Sequence, residues 1–255
     1  MATAATADIV AFLDELLEIE RFADLGPNGL QVPGAERITT VVTGVSAQRA
    51  LFERAVEEQA QLVLVHHGIL WDFDPRRIGP AQATRLRLLL GNEVALAAYH
   101  LPLDAHPLHG NNALLAEALG ATGHVRAFPY KGEPIGAIAR FEPDGVPAAE
   151  LLLRIERVTQ RAPLAFDAGP PTIRTLGIVC GAAANSLGQA IDLGLDAFLT
   201  GEPKEHVMAQ AREAGVHFVA AGHYATETLG IRRLGELLEA RFGVRHVFVD
   251  IPNPV

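Results

Sequence analysis

The chain has 255 residues, 49% of them hydrophobic and 20% charged, which is enough apolar material for one large or two small domains and excludes a disordered chain. Thirty acidic residues against 21 basic ones give a net charge of −9, without the electrostatic footprint of a general nucleic-acid binder. The single cysteine, Cys180, excludes an intramolecular disulfide and a cysteine-rich zinc module.

The first twenty residues have no basic lead and carry acids through their apolar stretch, unlike a signal peptide. No apolar run approaches the roughly 20 residues that span a bilayer. The expectation is a cytoplasmic protein with neither a membrane nor a nucleic-acid partner.

Taken in chain order, short β-branched runs alternate with amphipathic segments. The spacing of Ile9, Val10, Leu13, Leu16 and Leu17 predicts a helix over Ala7–Ile19. Strands are expected at Thr39–Val45, Leu62–Val65 and Val94–Tyr99, with helices at Gln48–Glu58, Ala81–Leu90 and Asn112–Leu119. The texture then changes. Val125–Tyr130 and Ile135–Phe141 read as strands about the turn Lys131-Gly132-Glu133-Pro134, followed by a helix over Ala148–Val158 and a strand over Leu164–Phe166.

Beyond Gly169-Pro170-Pro171 the α/β rhythm resumes. Strands are expected at Thr175–Cys180, Ala197–Leu199, Val216–Ala220 and Val247–Ile251, with helices at Ser186–Leu193, Glu205–Ala214 and Thr226–Phe242. Strands separated by helix-length segments argue for parallel sheets built from βαβ units. The expected division is a first α/β lobe over 1–126 completed by 222–255, and a second over 127–221.

Three strand ends carry metal-ligand chemistry. His66-His67 follow Leu62–Val65 directly, where open α/β sheets deliver ligands to a crevice. Adjacent residues on an extended chain point to opposite sides, so the pair suits two neighbouring ions better than one. After Val94–Tyr99 come His100 and, beyond a proline turn, Asp104; His106 and His109 lie close by. Asp104 suits a divalent metal, or else serves as an ordinary turn aspartate.

After Val216–Ala220, His223 and Glu227 share one face if their turn is helical, with Glu227 favoured as an anion at a helix start. The plain alternative is a loop histidine beside a first-turn acid. Taken together, His66, His67, His223, Asp104 and Glu227 are a donor set for two bridged ions with positions open for water and substrate. Zn, Mn, Fe, Co and Ni all suit it. The segment Thr200–His206 and the turn after Cys180 read more simply as loops.

These residues sit in an ordered series of motifs: NGLQV (28–32), HHG (66–68), LPLDAH (101–106), GNNALLAEALG (110–120), TGE (200–202) and GHYATETLG (222–230). In this order they resemble the Nif-three-like family, also labelled GTP cyclohydrolase 1 type 2 homologs. The resemblance implies that His66, His67, Asp104, His223 and Glu227 are dinuclear metal ligands. It also implies two α/β lobes with mostly parallel sheets, the metal pair in the cleft between them, and a toroidal homohexamer. Two places depart from the family pattern: Cys180-Gly181-Ala182-Ala183-Ala184, which is poor in glycine, and Asp72-Phe73-Asp74-Pro75 after Trp71.

The resemblance implies a metal-dependent hydrolase acting on a nucleotide-like small molecule, GTP by the family label; His100, at its strand end, is a candidate proton carrier. A phosphoesterase using the same ions and a non-enzymatic metal-binding regulatory scaffold are the alternatives.

Overall fold

The computed structural model describes residues 2–255. In chain order its elements are β1 (Ala4–Ala5), α1 (Thr6–Leu17), β2 (Gly29–Val32), β3 (Arg37–Ile38), β4 (Thr40–Ser46), α2 (Arg49–Glu57), β5 (Leu62–His67), α3 (Pro80–Gly91), β6 (Ala95–Ala98), α4 (Leu101–Ala105) and α5 (Asn111–Ala118). There follow β7 (Gly123–Tyr130), β8 (Glu133–Arg140), β9 (Val146–Pro147), α6 (Ala148–Thr159), β10 (Leu164–Phe166), β11 (Thr172–Ile173), β12 (Thr175–Val179) and α7 (Leu187–Asp192). The last are β13 (Ala197–Thr200), α8 (Val207–Ala214), β14 (His217–Ala220), α9 (His223–Thr226), α10 (Thr228–Phe242) and β15 (Arg245–Phe248). No helix among the described residues is long and apolar enough to cross a membrane.

The chain forms two compact units. One comprises the residues up to Leu103 with Gly230–Ile251, and the other Asp104–Leu229 with Pro252–Val255. The lobes expected from sequence divide at 126/127 and 221/222. The compact units divide earlier in the first case because α5 packs on β7, β8 and β12 of the later sheet.

In the first unit the sheet runs β15-β4-β5-β6-β2. Its first four strands are parallel, with α2 and α3 as the crossovers β4 to β5 and β5 to β6. Strand β2 lies antiparallel on β6 as an edge. It is a four-residue strand between Asn28 and Pro33, too short to show a periodicity, and the sequence reading omits it. Leu62, Val63, Leu64 and Val65 are fully buried, as a strand covered on both faces requires. Phe52 and Leu51 of α2 pack with Val42, Val63, Val65 and Leu96 on one face.

In the second unit the order is β10-β14-β13-β12-β8-β7. The three strands β12, β13 and β14 are parallel, and β8 and β10 flank them antiparallel. Strands β7 and β8 form the hairpin expected around residue 131, with Lys131 and Gly132 both at positive φ (49° and 97°), as a tight two-residue turn demands. Alternate residues of the sheet serve two cores. Leu176, Ile178 and Leu199 join Leu115, Leu151 and Ile155, whereas Val179 and Phe198 join Phe128, Leu187, Val207 and Phe218.

Two local expectations change. The segment around Pro102 is a short helix, α4, that contains Asp104, in place of a proline turn. The helix expected over Thr226–Phe242 is broken at Glu227 (φ −112°), because the one-turn helix α9 is closed by Thr226. The Thr226 hydroxyl donates to Gly222 C=O at 2.9 Å and accepts from the Gly181 N–H at 3.3 Å.

Candidate metal centre

In the first unit, β4, β5 and β6 end at the same edge of the parallel sheet, and β5 runs through both histidines. His66 is fully buried. Its Nδ1 lies 2.9 Å from Tyr99 C=O and donates to it, which puts the lone pair on Nε2. His67 Nδ1 lies 3.1 Å from Ser46 Oγ. The two rings are therefore anchored toward opposite neighbouring strands. They nonetheless meet: the centroids are 4.6 Å apart. One nitrogen from each of His66, His67 and His100 falls within 4.8 Å of the others. The expected divergence of adjacent side chains is not seen: each ring is tied to the segment on its own side of β5, and the two still sit side by side.

His100 is held by a residue that the sequence reading missed. Asp24 Oδ1 accepts from His100 Nδ1 at 2.7 Å, and Oδ2 accepts from the Leu101 N–H at 2.9 Å. Asn28, the first residue of NGLQV, accepts the His100 N–H at 2.8 Å. Burial alone would push the Asp24 carboxyl up, but the His100 hydrogen bond and charge, with help from Asn28 and the Leu25 N–H, hold it down at about 2. The only signal in the sequence was an acid and an amide four residues apart in a loop.

In the second unit, Asp104 is 8% exposed, and Asn111 Nδ2 donates to its Oδ1 at 2.8 Å. Asn112 donates to the backbone carbonyls of Asp104 at 3.1 Å and Ile135 at 2.7 Å, while accepting the Cys180 N–H at 2.9 Å. The two asparagines of GNN thus fix the end of α4. His223 Nε2 lies 3.3 Å from Glu227 Oε2, the i,i+4 relation expected from sequence, realised across α9. His223 Nδ1 bonds Glu202, whose segment the sequence reading took for a plain loop. Burial lowers the His223 pKa, but Glu227 and Glu202 outweigh it and raise the imidazole to about 9.

The turn after Cys180 has a steric role. At Gly181 (φ +70°) an added Cβ would lie 2.5 Å from Glu227 Oε1 and 3.2 Å from His223 Nε2. Only glycine leaves room for this pair there. Cys180 itself is buried, and its thiol is pushed well up by burial and then by the Asp104 and Glu227 charges, so a thiolate ligand is disfavoured. The remaining donors are imidazole nitrogens and carboxylate oxygens. These fit divalent ions of the borderline class. His106 and His109 stack on each other at 4.8 Å.

Nearly the whole chain matches known proteins. A family model described as Duf34/NIF3 (NGG1p interacting factor 3) aligns with residues 4–254. The chain belongs to that family. A Pseudomonas aeruginosa protein named GTP cyclohydrolase 1 type 2 homolog is 42% identical over 255 residues, covering 98% of each chain. An Escherichia coli K12 protein of the same name is 41% identical, covering 97% of this chain and 98% of its own. Among solved structures, one titled protein ybgI, of unknown function, superposes with a TM-score of 0.93 at 40% identity, over 99% of this chain and 100% of that one. TTHA1606 from Thermus thermophilus gives 0.88 at 35% identity, again over 99% and 100%. This Duf34/NIF3 chain therefore shares its mixed α/β fold with close relatives end to end.

Proposed function

We propose that this chain is a dinuclear metal-dependent hydrolase acting on a nucleotide-like substrate, with His66, His67, Asp104, His223 and Glu227 as the metal ligands. The observation that carries the reading is the His66–His67 pair at the end of β5, whose nitrogens lie within 4.8 Å of one another with the proposed proton carrier His100 beside them. The buried Asp104 and the His223–Glu227 pair supply the carboxylates that a bridged pair of ions requires. The relatives named GTP cyclohydrolase 1 type 2 homolog make a guanine nucleotide the first substrate to test.

Bound ions would bring the pKa of a water ligand toward neutrality and offset negative charge developing on the substrate. The chain's own residues do the rest. His66 is held in the Nε2 lone-pair tautomer by Tyr99 C=O. His100 takes up or delivers a proton at Nε2, while Asp24 keeps its Nδ1–H occupied and the ring oriented.

The test is elemental analysis of untagged protein, as purified and after loading with Zn, Mn, Fe, Co or Ni. About two ions per chain in wild type and a large loss in Glu227→Ala support the centre; fewer than one ion under every condition overturns it. With the metal in place, formate release from GTP identifies cyclohydrolase chemistry. Release of phosphate from esters instead identifies a phosphoesterase, and no turnover of either kind leaves a metal-binding scaffold. The homohexamer implied by the resemblance and the cytoplasmic location expected from the composition belong to the same reading; sedimentation and cell fractionation check them.

A further inference from the structure

We infer that Trp71 and Phe73 form a seat for the planar ring of the substrate, and that the cavity beside them selects a nitrogen heterocycle whose edge presents N–H donors. This rests on the proposed nucleotide-like substrate and states how this chain holds its base. Both residues lie in the loop between β5 and α3.

The loop is built around an anchored tryptophan. The Trp71 indole N–H donates to Gly68 C=O at 3.2 Å, and the Asp72 N–H donates to Leu25 C=O at 2.8 Å. Gly26 packs under the indole, so that an added Cβ would lie 3.4 Å from Cε3. A turn closed by the Asp74 N–H on Trp71 C=O brings the Phe73 ring over the indole, with centroids 5.5 Å apart and planes 14° from parallel. On its other flank Trp71 stands edge-on to His100 at 5.1 Å and lies 6.1 Å from His67. A row of flat rings thus leads from the imidazole group out to solvent.

Phe73 is 70% exposed at the outer end of that row. A phenyl ring left in water forgoes most of the stabilisation its burial would bring. An exposed ring aligned on an anchored one is what a π-faced ligand stacks against.

A cavity of about 290 Å³ opens beside Trp71, with Pro27, Asp72, Asp74, Arg76 and Gln82 among its other lining residues. That size admits a single heterocyclic base. An ionised carboxylate only accepts hydrogen bonds, so Asp72 and Asp74 favour a ring edge of adjacent N–H donors and repel one that presents acceptors. Arg76 on the same rim keeps the cavity from being a bare acidic patch. A 2-amino-6-oxopurine edge meets the requirement with two neighbouring donors; a 6-aminopurine edge alternates donor and acceptor and does not.

Trp71 is the only tryptophan beside three tyrosines, so fluorescence excited where tyrosine does not absorb reports on this seat. Guanosine, adenosine and ribose 5-phosphate are titrated into the 255-residue chain as purified and into Phe73→Ala and Asp74→Asn, with calorimetry in parallel. Guanosine is expected to quench saturably and to bind at least about tenfold more tightly than adenosine, while ribose 5-phosphate leaves the emission unchanged. Phe73→Ala should weaken guanosine about tenfold without altering thermal unfolding, since the ring is exposed. Asp74→Asn should abolish the preference for guanosine.

Equal binding of the two nucleosides, a response to ribose 5-phosphate, or wild-type affinity in Phe73→Ala overturns the inference. Metal-loaded protein that turns over substrate without guanosine preference overturns this inference alone. Guanosine preference in a chain that holds no metal overturns the dinuclear reading alone.

Discussion

Asp24 and His100, 76 residues apart in sequence, meet through a 2.7 Å hydrogen bond between Oδ1 and Nδ1, and the second carboxylate oxygen is spent on the Leu101 N–H and the Asn28 amide. Every oxygen of this acid therefore faces the segment that carries His100. The arrangement orients the ring and favours its proton on Nδ1.

It also ties stability to acid pH. The folded carboxyl titrates at about 2 against an ordinary 3.8, so its contribution is complete above the ordinary value and is lost as pH falls through 4 toward 2. Urea unfolding should show wild type losing about 2 kcal/mol more than Asp24→Asn across that window. Identical acid slopes in the two proteins would contradict this role. In a turnover assay, Asp24→Asn should lower kcat more than it raises KM, and the pH profile should shift with it.

Gly181→Ala forces a side chain into a positive-φ position and within 2.5 Å of Glu227 Oε1. The expected cost is about 1–3 kcal/mol of stability. Metal retention, measured by dialysis against a chelator, should fall with it because the His223–Glu227 pair must move. Unchanged retention would show that the pair is not a ligand pair.

Asn112 is 2% exposed and joins three backbone groups, the carbonyls of Asp104 and Ile135 and the N–H of Cys180. Asn112→Ala leaves all three without their partner in a buried place. A loss of about 3–4 kcal/mol in unfolding free energy is expected. A loss under about 1 kcal/mol would mean that water replaces the amide.

His246 of β15 is held below its ordinary pKa by burial, which outweighs the opposing charges of Glu239 and Glu236. Its neutral ring is bonded to Thr43 Oγ1 at 2.7 Å, joining β15 to β4. The stabilisation is present above the ordinary value of 6.5 and is lost as pH falls below it. The thermal midpoint of wild type should therefore drop between about pH 7 and 5, and His246→Gln should lose that dependence. A midpoint that rises toward acid pH would reverse the assignment.

The repeating apolar runs determined most of the fold by themselves. Leu62–Val65 is apolar on every residue, as in a strand covered on both faces; the helices at Arg49–Glu57 and Ala148–Thr159 carry their own spacing. His66, His67, Asp104, His223 and Glu227 stood out because strand ends, visible in the same pattern, are where open α/β sheets present side chains. The sequence by itself did not reveal what holds these residues and His100. Asp24, Asn28 and Glu202 lie in loops without periodicity, their partners 72 to 77 residues away for the first two and 21 for Glu202, and Asn112 at the start of α5 reaches Asp104, Ile135 and Cys180, which are 8, 23 and 68 residues away. The convergence of His66 and His67 was likewise decided only by tertiary structure. Alternation along a strand predicts opposite sides, whereas the hydrogen bonds to Ser46 and Tyr99 fix how the two rings lie.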